Sequence, residues 1–422
     1  MRQEIKDRIE KIRNGEVPEG YKEVGNNLIP FEWKLDKTLN LIKRIRKPVS
    51  VELAQKYRQI GIRSHGKGIF YKDEVSGEQL GNKAVFWVEP DCFIVNIVFA
   101  WEMAVAKTTI NERGMIASHR FPMYKPVLNL LDLDYLTYYF KSNQGRTLLE
   151  LASPGGAGRN KTLGQTEFLE LNIPVPSLPE QQKIAFILST WDKAIELKEQ
   201  LIEQKREQKR GLMKKLLTGE MRLPGIHGKW EEVRLGDVAD MHSGGTPKST
   251  ISEYYDGDVP WVSIADMTKR GKYIEYTERN ISKLGLENSS AKLYPKGTVL
   301  YAMYASIGEC SISKIELTSS QAILGIRPKK HLNNEFLYYY LFSMKEKLKL
   351  NGQKGTQSNL NTGIVKDLKI VLPEIDEQMA IVNILLTSDK GIELLEQELE
   401  ALKLQKKGLM QLLLTGIVRV QN

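Results

Sequence analysis

QKRGLMKKLLTG, residues Gln208–Gly219, and QKKGLMQLLLTG, residues Gln405–Gly416, are nearly the same twelve residues written 197 positions apart in one chain. The likeness extends on both sides. Leu171–Leu223 aligns with Leu368–Val420 at that constant offset, without a gap and with roughly half the positions identical. Further upstream, PGGAGRNKTL (Pro154–Leu163) lies over NGQKGTQSNL (Asn351–Leu360), and YLTYYF (Tyr135–Phe140) resembles FLYYYLF (Phe336–Phe342). A period of about 200 residues is a duplicated domain, too long for a solenoid array. The 422 residues exceed one compact domain, and 41% apolar residues suffice for a core in each of two.

Each copy ends in a long helix. It opens after a Pro-containing, strand-like end (IPVPSLPEQQ, IVLPEIDEQ) and closes at a Thr-Gly, with Gly219 and Gly416 as C-terminal stops. About 38 residues at 1.5 Å each predict a rod of about 55–60 Å. In the second copy Ile381, Leu385, Ile392, Leu395, Leu399, Leu402, Leu409 and Leu413 follow steps of three and four, interrupted by Ser388 and Lys406. That is a coiled-coil seam. The first copy starts with Ile184, Leu188, Trp191 and Ile195, then carries Lys198, Lys205 and Lys209 among Ile202, Leu212 and Leu216. The two helices are expected to pair with each other, antiparallel and pseudo-twofold, the richer stripe compensating the poorer. Two separate surface helices are the plainer alternative.

The remainder of each half reads as mixed α/β. AVFWV (Ala84–Val88), CFIVNIVFA (Cys92–Ala100) and TVLYAMYA (Thr298–Ala305) predict strands; LDLDYLTYYFKS (Leu131–Ser142) and NEFLYYYLFSMKEKL (Asn334–Leu348) predict helices, their tyrosines core residues. Several loops combine small residues, amides, hydroxyls and isolated cations, the mixture that contacts a phosphate backbone. IKRIRKPVS supplies Arg44, Arg46 and Lys47, and its counterpart HSGGTPKST supplies Ser243, Gly244, Gly245, Thr246 and Lys248. QIGIRSHGKGIF supplies Arg63, Ser64, His65 and Lys67, and the counterpart near WVSIADMTKRGK supplies Lys269 and Arg270. GGAGRNKT supplies Arg159, Asn160 and Lys161; GQKGTQSN supplies Lys354, Thr356, Gln357, Ser358 and Asn359. Arg to guanine and Asn or Gln to adenine are the usual base readers. One basic loop is usually only a solvated turn; three in each half point to DNA, as does a net charge of +9.

No catalytic apparatus is legible. A phosphate-binding loop of the form GxxxxGK[ST] fails because Asn160 stands where the second Gly is needed. A nuclease reading of Asp91 and Glu102 fails because Ala104 replaces the required Lys, and the five histidines form no metal-binding pair. Two cysteines without a CxxC, no apolar run long enough for a bilayer and a charged N-terminus predict a cytoplasmic protein with no disulfide, metal, cofactor or membrane span.

With PSLPEQQKIAFILSTWDKAIEL, PEIDEQMAIVNILLTSDKGIEL, the two GLM…LLTG endings and SGGTP followed by EYYDGDVPWVSIADM in view, the chain resembles specificity subunits of type I restriction-modification systems over nearly its whole length. The resemblance implies target recognition domains over residues 1–178 and 220–375, spacer helices over 179–219 and 376–416, and a tail over 417–422. It implies that each domain reads one half of a split sequence in double-stranded DNA while the coiled coil sets the gap. It also implies two docked methyltransferase subunits, which modify adenine with S-adenosylmethionine, and ATP-driven translocase–nuclease subunits. The chain itself would be no enzyme and would hold no cofactor. A protein–protein scaffold with merely solvated basic loops is the alternative.

Overall fold

A computed structural model describes residues 3–25, 27–155, 161–304, 306–352 and 360–420. The chain forms two compact units: Met1–Lys198 with Glu398–Asn422, and Glu199–Gln397. The division falls inside both long helices, Leu178–Leu217 and Ile375–Leu414, each of 40 residues. Their starts are acidic, with Glu180 in one and Asp376 and Glu377 in the other, as the helix dipole favours. Beyond their ends Gly219 and Gly416 take φ of 73° and 72°, a left-handed stop that a side chain would resist.

Both units are built on one frame. In the first, strand Lys34–Lys37 pairs antiparallel with Asn172–Val175, which leads into the first long helix. In the second, Glu231–Arg234 pairs antiparallel with Lys369–Leu372, which leads into the other long helix. All four strands obey the offset of 197 seen between Gly219 and Gly416. Between the frame strands the inserts differ. The first unit holds two four-stranded sheets, ordered Ile69–Ser76, Lys56–Ile62, Ile116–Ser118, Val85–Trp87 and Ile42–Ile45, Met123–Pro126, Phe93–Val95, Val105–Lys107. The second holds a five-stranded sheet ordered Ala239–Ser243, Ile323–Pro328, Val299–Ala302, Cys310–Ser313, Tyr273–Ile274, and a three-stranded one ordered Arg279–Ile281, Tyr255–Val262, Thr318–Ser319. Both are mixed α/β. Helices Leu133–Phe140 and Asn334–Gly352 stand where the sequence puts them, and Tyr135, Tyr139, Tyr338 and Tyr339 are buried core residues. The run Cys92–Ala100 is a strand only over Phe93–Val95. The Asn96 side chain accepts the Val98 N–H at 3.1 Å and turns the chain into a short 3-10 helix at Ala100–Glu102. Apolar content alone did not reveal that turn, because the turning segment is itself partly buried.

The repeated helix end now has its reason. Each unit packs the start of one long helix against the end of the other. Ile184 and Leu188 share a core with Leu413 and Leu414 in the first unit; Ile381 and Leu385 share one with Leu216 and Leu217 in the second. Full burial of such side chains is worth about 1.5–3 kcal/mol each. The pairing is antiparallel within each unit. Lys406 meets Asp192 at 2.5 Å and Lys198 meets Glu398 at 2.7 Å in the first; Lys209 meets Asp389, and Arg206 meets Glu396 at 2.5 Å, in the second. Lys209 and Lys406 therefore do not weaken the seam as their place in the apolar pattern suggests. Each half-buried ammonium lies against an aspartate that also accepts a tyrosine hydroxyl from the insert, Tyr138 on Asp192 at 2.7 Å and Tyr339 on Asp389 at 2.5 Å. The tyrosine rings lie 5.4 and 5.5 Å from the same ammonium groups. Burial and the carboxylate acceptor together hold both phenols protonated, far above their ordinary range.

A second repeated cluster sits at the helix starts. Glu180, 3% exposed, accepts Arg419 Nε at 2.7 Å and Nη2 at 2.9 Å, and Trp33 Nε1 at 3.1 Å. Glu377, 1% exposed, accepts Arg222 Nε at 2.8 Å and Nη2 at 3.0 Å, and Trp230 Nε1 at 2.9 Å. The neighbouring Gln181 and Gln378 each accept a backbone N–H and donate to two backbone carbonyls. Arg419 thus ties residues 417–420 back onto the first unit, where Tyr21 donates to the Gly416 carbonyl at 2.6 Å and Val418 and Val420 pack on the core.

Candidate nucleic-acid interface

In the first unit the residues of IKRIRKPVS divide. Ile42–Ile45 is an edge strand on which Arg44 is exposed. Arg46 lies over the Phe86 ring at 5.0 Å, and Lys47 pairs with Glu89 at 2.8 Å. The next loop is the turn of the hairpin Lys56–Ile62 with Ile69–Ser76. Arg63 stacks on Phe70 at 5.1 Å, which holds its guanidinium at the surface. Ser64 donates to Glu102 at 2.7 Å. His65 and Gly66 take φ of 59° and 66°, and their N–H groups donate to the carbonyls of Glu102 and Met103 at 2.7 and 2.9 Å. Those anchors fix the turn and leave Lys67 exposed, without a side-chain partner among the described residues. Lys161 pairs with Glu150 at 2.7 Å and lies over Trp101.

In the second unit, Gly244 and Gly245 are not an open cradle. Both are buried, and a Cβ on either would collide with backbone of Ser319–Ser320 or Ser290–Ala291, so packing requires glycine there. Ser243 hydrogen-bonds Thr362 across 3.0 Å. Thr246 and Lys248 are exposed beyond them. Lys269 pairs with Glu278. Arg270 is no free surface cation: it is 11% exposed, 3.6 Å from Asp266 and stacked 3.4 Å from the centre of the Tyr276 ring. Tyr276 is itself 64% exposed, so the stack presents an aromatic face to solvent. Arg159, Asn160, Lys354, Thr356, Gln357, Ser358 and Asn359 lie outside the described residues.

Sequence reading did not single out Lys141, Arg146 or Lys407. With Met103, Met410 and Leu414 they line a cavity of about 410 Å³ in the first unit. The only signal was the Lys-Lys at 406–407, which an apolar-seam reading treats as a blemish. Burial, with Lys406 and Lys107 nearby, pushes the Lys141 ammonium below its ordinary range despite Asp192 and Asp134. Among the described residues no group of three or more His, Cys, Asp or Glu could hold a metal ion, and no helix is long and apolar enough to cross a membrane. Both cysteines are buried; burial pushes the Cys92 thiol up to about 11.

A frame written twice, carrying two unlike mixed α/β inserts with basic edges, defines a protein with two recognition units. The chain belongs to the type I restriction modification DNA specificity domain family, whose model matches residues 88–204 and 227–404. It is similar to two specificity subunits of Methanocaldococcus jannaschii type I restriction enzymes. MjaX is 26% identical over 99% of this chain and 93% of its own, and MjaVIII 28% identical over 96% and 97%. Among solved structures, the HsdS subunit from Thermoanaerobacter tengcongensis matches 93% of this chain and 99% of its own with a TM-score of 0.56. A chain from a structure of type I R-M complex assembly and conformational transition matches 92% and 99% with a TM-score of 0.65. Both are 18% identical to this chain and speak for the fold alone.

Proposed function

We propose that this chain is the sequence reader of a type I restriction-modification complex, a subunit without catalytic groups of its own. Each unit reads one half of a split target in double-stranded DNA. The long helices set the gap and dock methyltransferase subunits, which supply the chemistry; ATP-driven translocase–nuclease subunits join for cleavage. The observation that carries this reading is the duplicated frame with different inserts. Like frames carry the insert in the same way within each unit, and the unlike inserts give two different half-sites. Membership of the specificity family supports it.

Lys67 and Lys248 are exposed cations on one candidate loop of each unit, open to phosphate. Lys67→Gln and Lys248→Gln should each lower the slope of log affinity against log salt by about 0.9, on any duplex sequence. Fluorescence anisotropy of the full chain with a labelled duplex reads this. Slopes unchanged in both variants would remove these loops from the interface, and absence of salt-sensitive DNA binding by the assembled complex would favour a protein scaffold.

A further inference from the structure

We propose that the first unit grips the DNA backbone beside its half-site through a phosphate-binding foot formed by Lys141, Arg146 and Lys407. The inference rests on the DNA-reading function above. The three residues come from the end of helix Leu133–Phe140, from helix Asn143–Leu151 and from the second long helix, and they converge on the 410 Å³ cavity. Lys406 also lines it but is held by Asp192, and Lys403 is paired with Glu400. Among the described residues Asp192 and Asp134 act on Lys141, and Glu150 on Arg146, only from beyond ion-pair distance, and Lys407 forms no ion pair. Three cations without a direct ion pair line one cavity, and burial, with Lys406 and Lys107 nearby, already disfavours the charge on Lys141. An anion relieves both penalties at once.

Two observations select DNA as the source of that anion. The first is continuity. A Cβ on Gly66 would lie 3.2 Å from Lys141 Cγ, so the hairpin turn bearing Arg63 and Lys67 rests directly on the Lys141 stem. Foot and turn form one basic surface, and a backbone followed from the turn meets the foot next. The second is the contrast with the other unit. The repeat counterparts of Lys403, Lys406 and Lys407 are Arg206, Lys209 and Arg210, which face Glu396, Asp389 and, on the same helix, both Glu203 and Glu207. Glu203 recurs as Glu400, which is taken by Lys403, but Glu207 is replaced by Leu404, so Lys407 forms no ion pair among the described residues where Arg210 forms two, and a phosphate can take that place.

The test uses the full chain and a labelled duplex of about 40 base pairs of arbitrary sequence, titrated between about 50 and 200 mM salt. Arg146 and Lys407 are exposed, so Arg146→Gln/Lys407→Gln leaves the core intact. Two lost phosphate contacts should lower the salt slope by about 1.8 and weaken binding at low salt by about tenfold or more. Lys214→Gln/Lys215→Gln, exposed on the first long helix within the second unit, should change neither. If Arg63→Gln/Lys67→Gln flattens the slope and the foot variant does not, the foot lies off the DNA path and the inference falls while the DNA-reading function stands. If neither variant flattens it, the inference falls and the turn leaves the interface with it, while the DNA-reading function falls only if the assembled complex shows no salt-sensitive DNA binding. Inorganic phosphate or ATP binding that the foot variant loses, with an unchanged DNA slope, would make this a small-anion pocket instead. Loss of partner-subunit copurification with an unchanged slope would make it a protein contact.

Discussion

Seven residues inserted between Lys198 and Glu199, with seven more between Gln397 and Glu398, are expected to abolish methylation at the native split target and to create it at a target with a longer gap. Both insertions fall on the boundary between the compact units. Neither separates the partners within a unit: Asp192 keeps Lys406, and Asp389 keeps Lys209. A heptad preserves the seam, because the apolar stripe repeats every seven residues. It adds about 10 Å of helix, the length of about three base pairs. The readout is the methylated sequence in cells expressing the complex. Both half-sites should survive with more bases between them. An unchanged gap would deny the helices their spacing role.

Glu180→Ala is expected to destabilise the first unit by about 3 kcal/mol, near the low end for breaking a buried ion pair. The substitution strands the Trp33 N–H and leaves the Arg419 guanidinium with only the exposed Glu32, 2.6 Å away, as a carboxylate partner. Arg419 is 30% exposed and recovers some water, which keeps the cost from the upper end. Glu377→Ala should do the same to the second unit through Arg222 and Trp230. Thermal unfolding should show the melting temperature of the affected unit falling by about 6–12 °C. A change within about 0.5 kcal/mol, the range of an ordinary surface substitution, would mean that the cluster contributes nothing beyond its neighbours. Because both carboxylates open a repeated helix and both arginines follow one, the pair of variants tests whether each unit joins the start of one copy to the end of the other.

Much of the frame was legible in the sequence because repetition is a signal that survives without tertiary information. Two helix ends that are nearly the same over twelve residues cannot be surface noise, and their Thr-Gly stops lie where the helices end. The buried tyrosines were legible as core residues of the helices predicted around them. The partners were harder. Lys209 and Lys406 look like faults in an apolar stripe until the antiparallel register places Asp389 and Asp192 opposite them, and register is a tertiary fact. Ser243–Thr246 has the composition of a phosphate loop, but composition does not say that backbone closes over Gly244 and Gly245. Arg270 reads as a surface cation in a basic turn; only the fold sets it against Tyr276 and Asp266. The cavity of the first unit was least legible of all, since Lys141 and Lys407 meet from segments more than half the chain apart.

The most direct test of the two-reader account is a genome-wide map of adenine methylation in a host without such systems. The chain is co-expressed with its companion methyltransferase subunit, and the map is repeated with the chain omitted. The account predicts one split motif, with two different half-sites, that vanishes when the chain is absent. Methylation that is missing despite a soluble complex, or that persists unchanged without the chain, would contradict it.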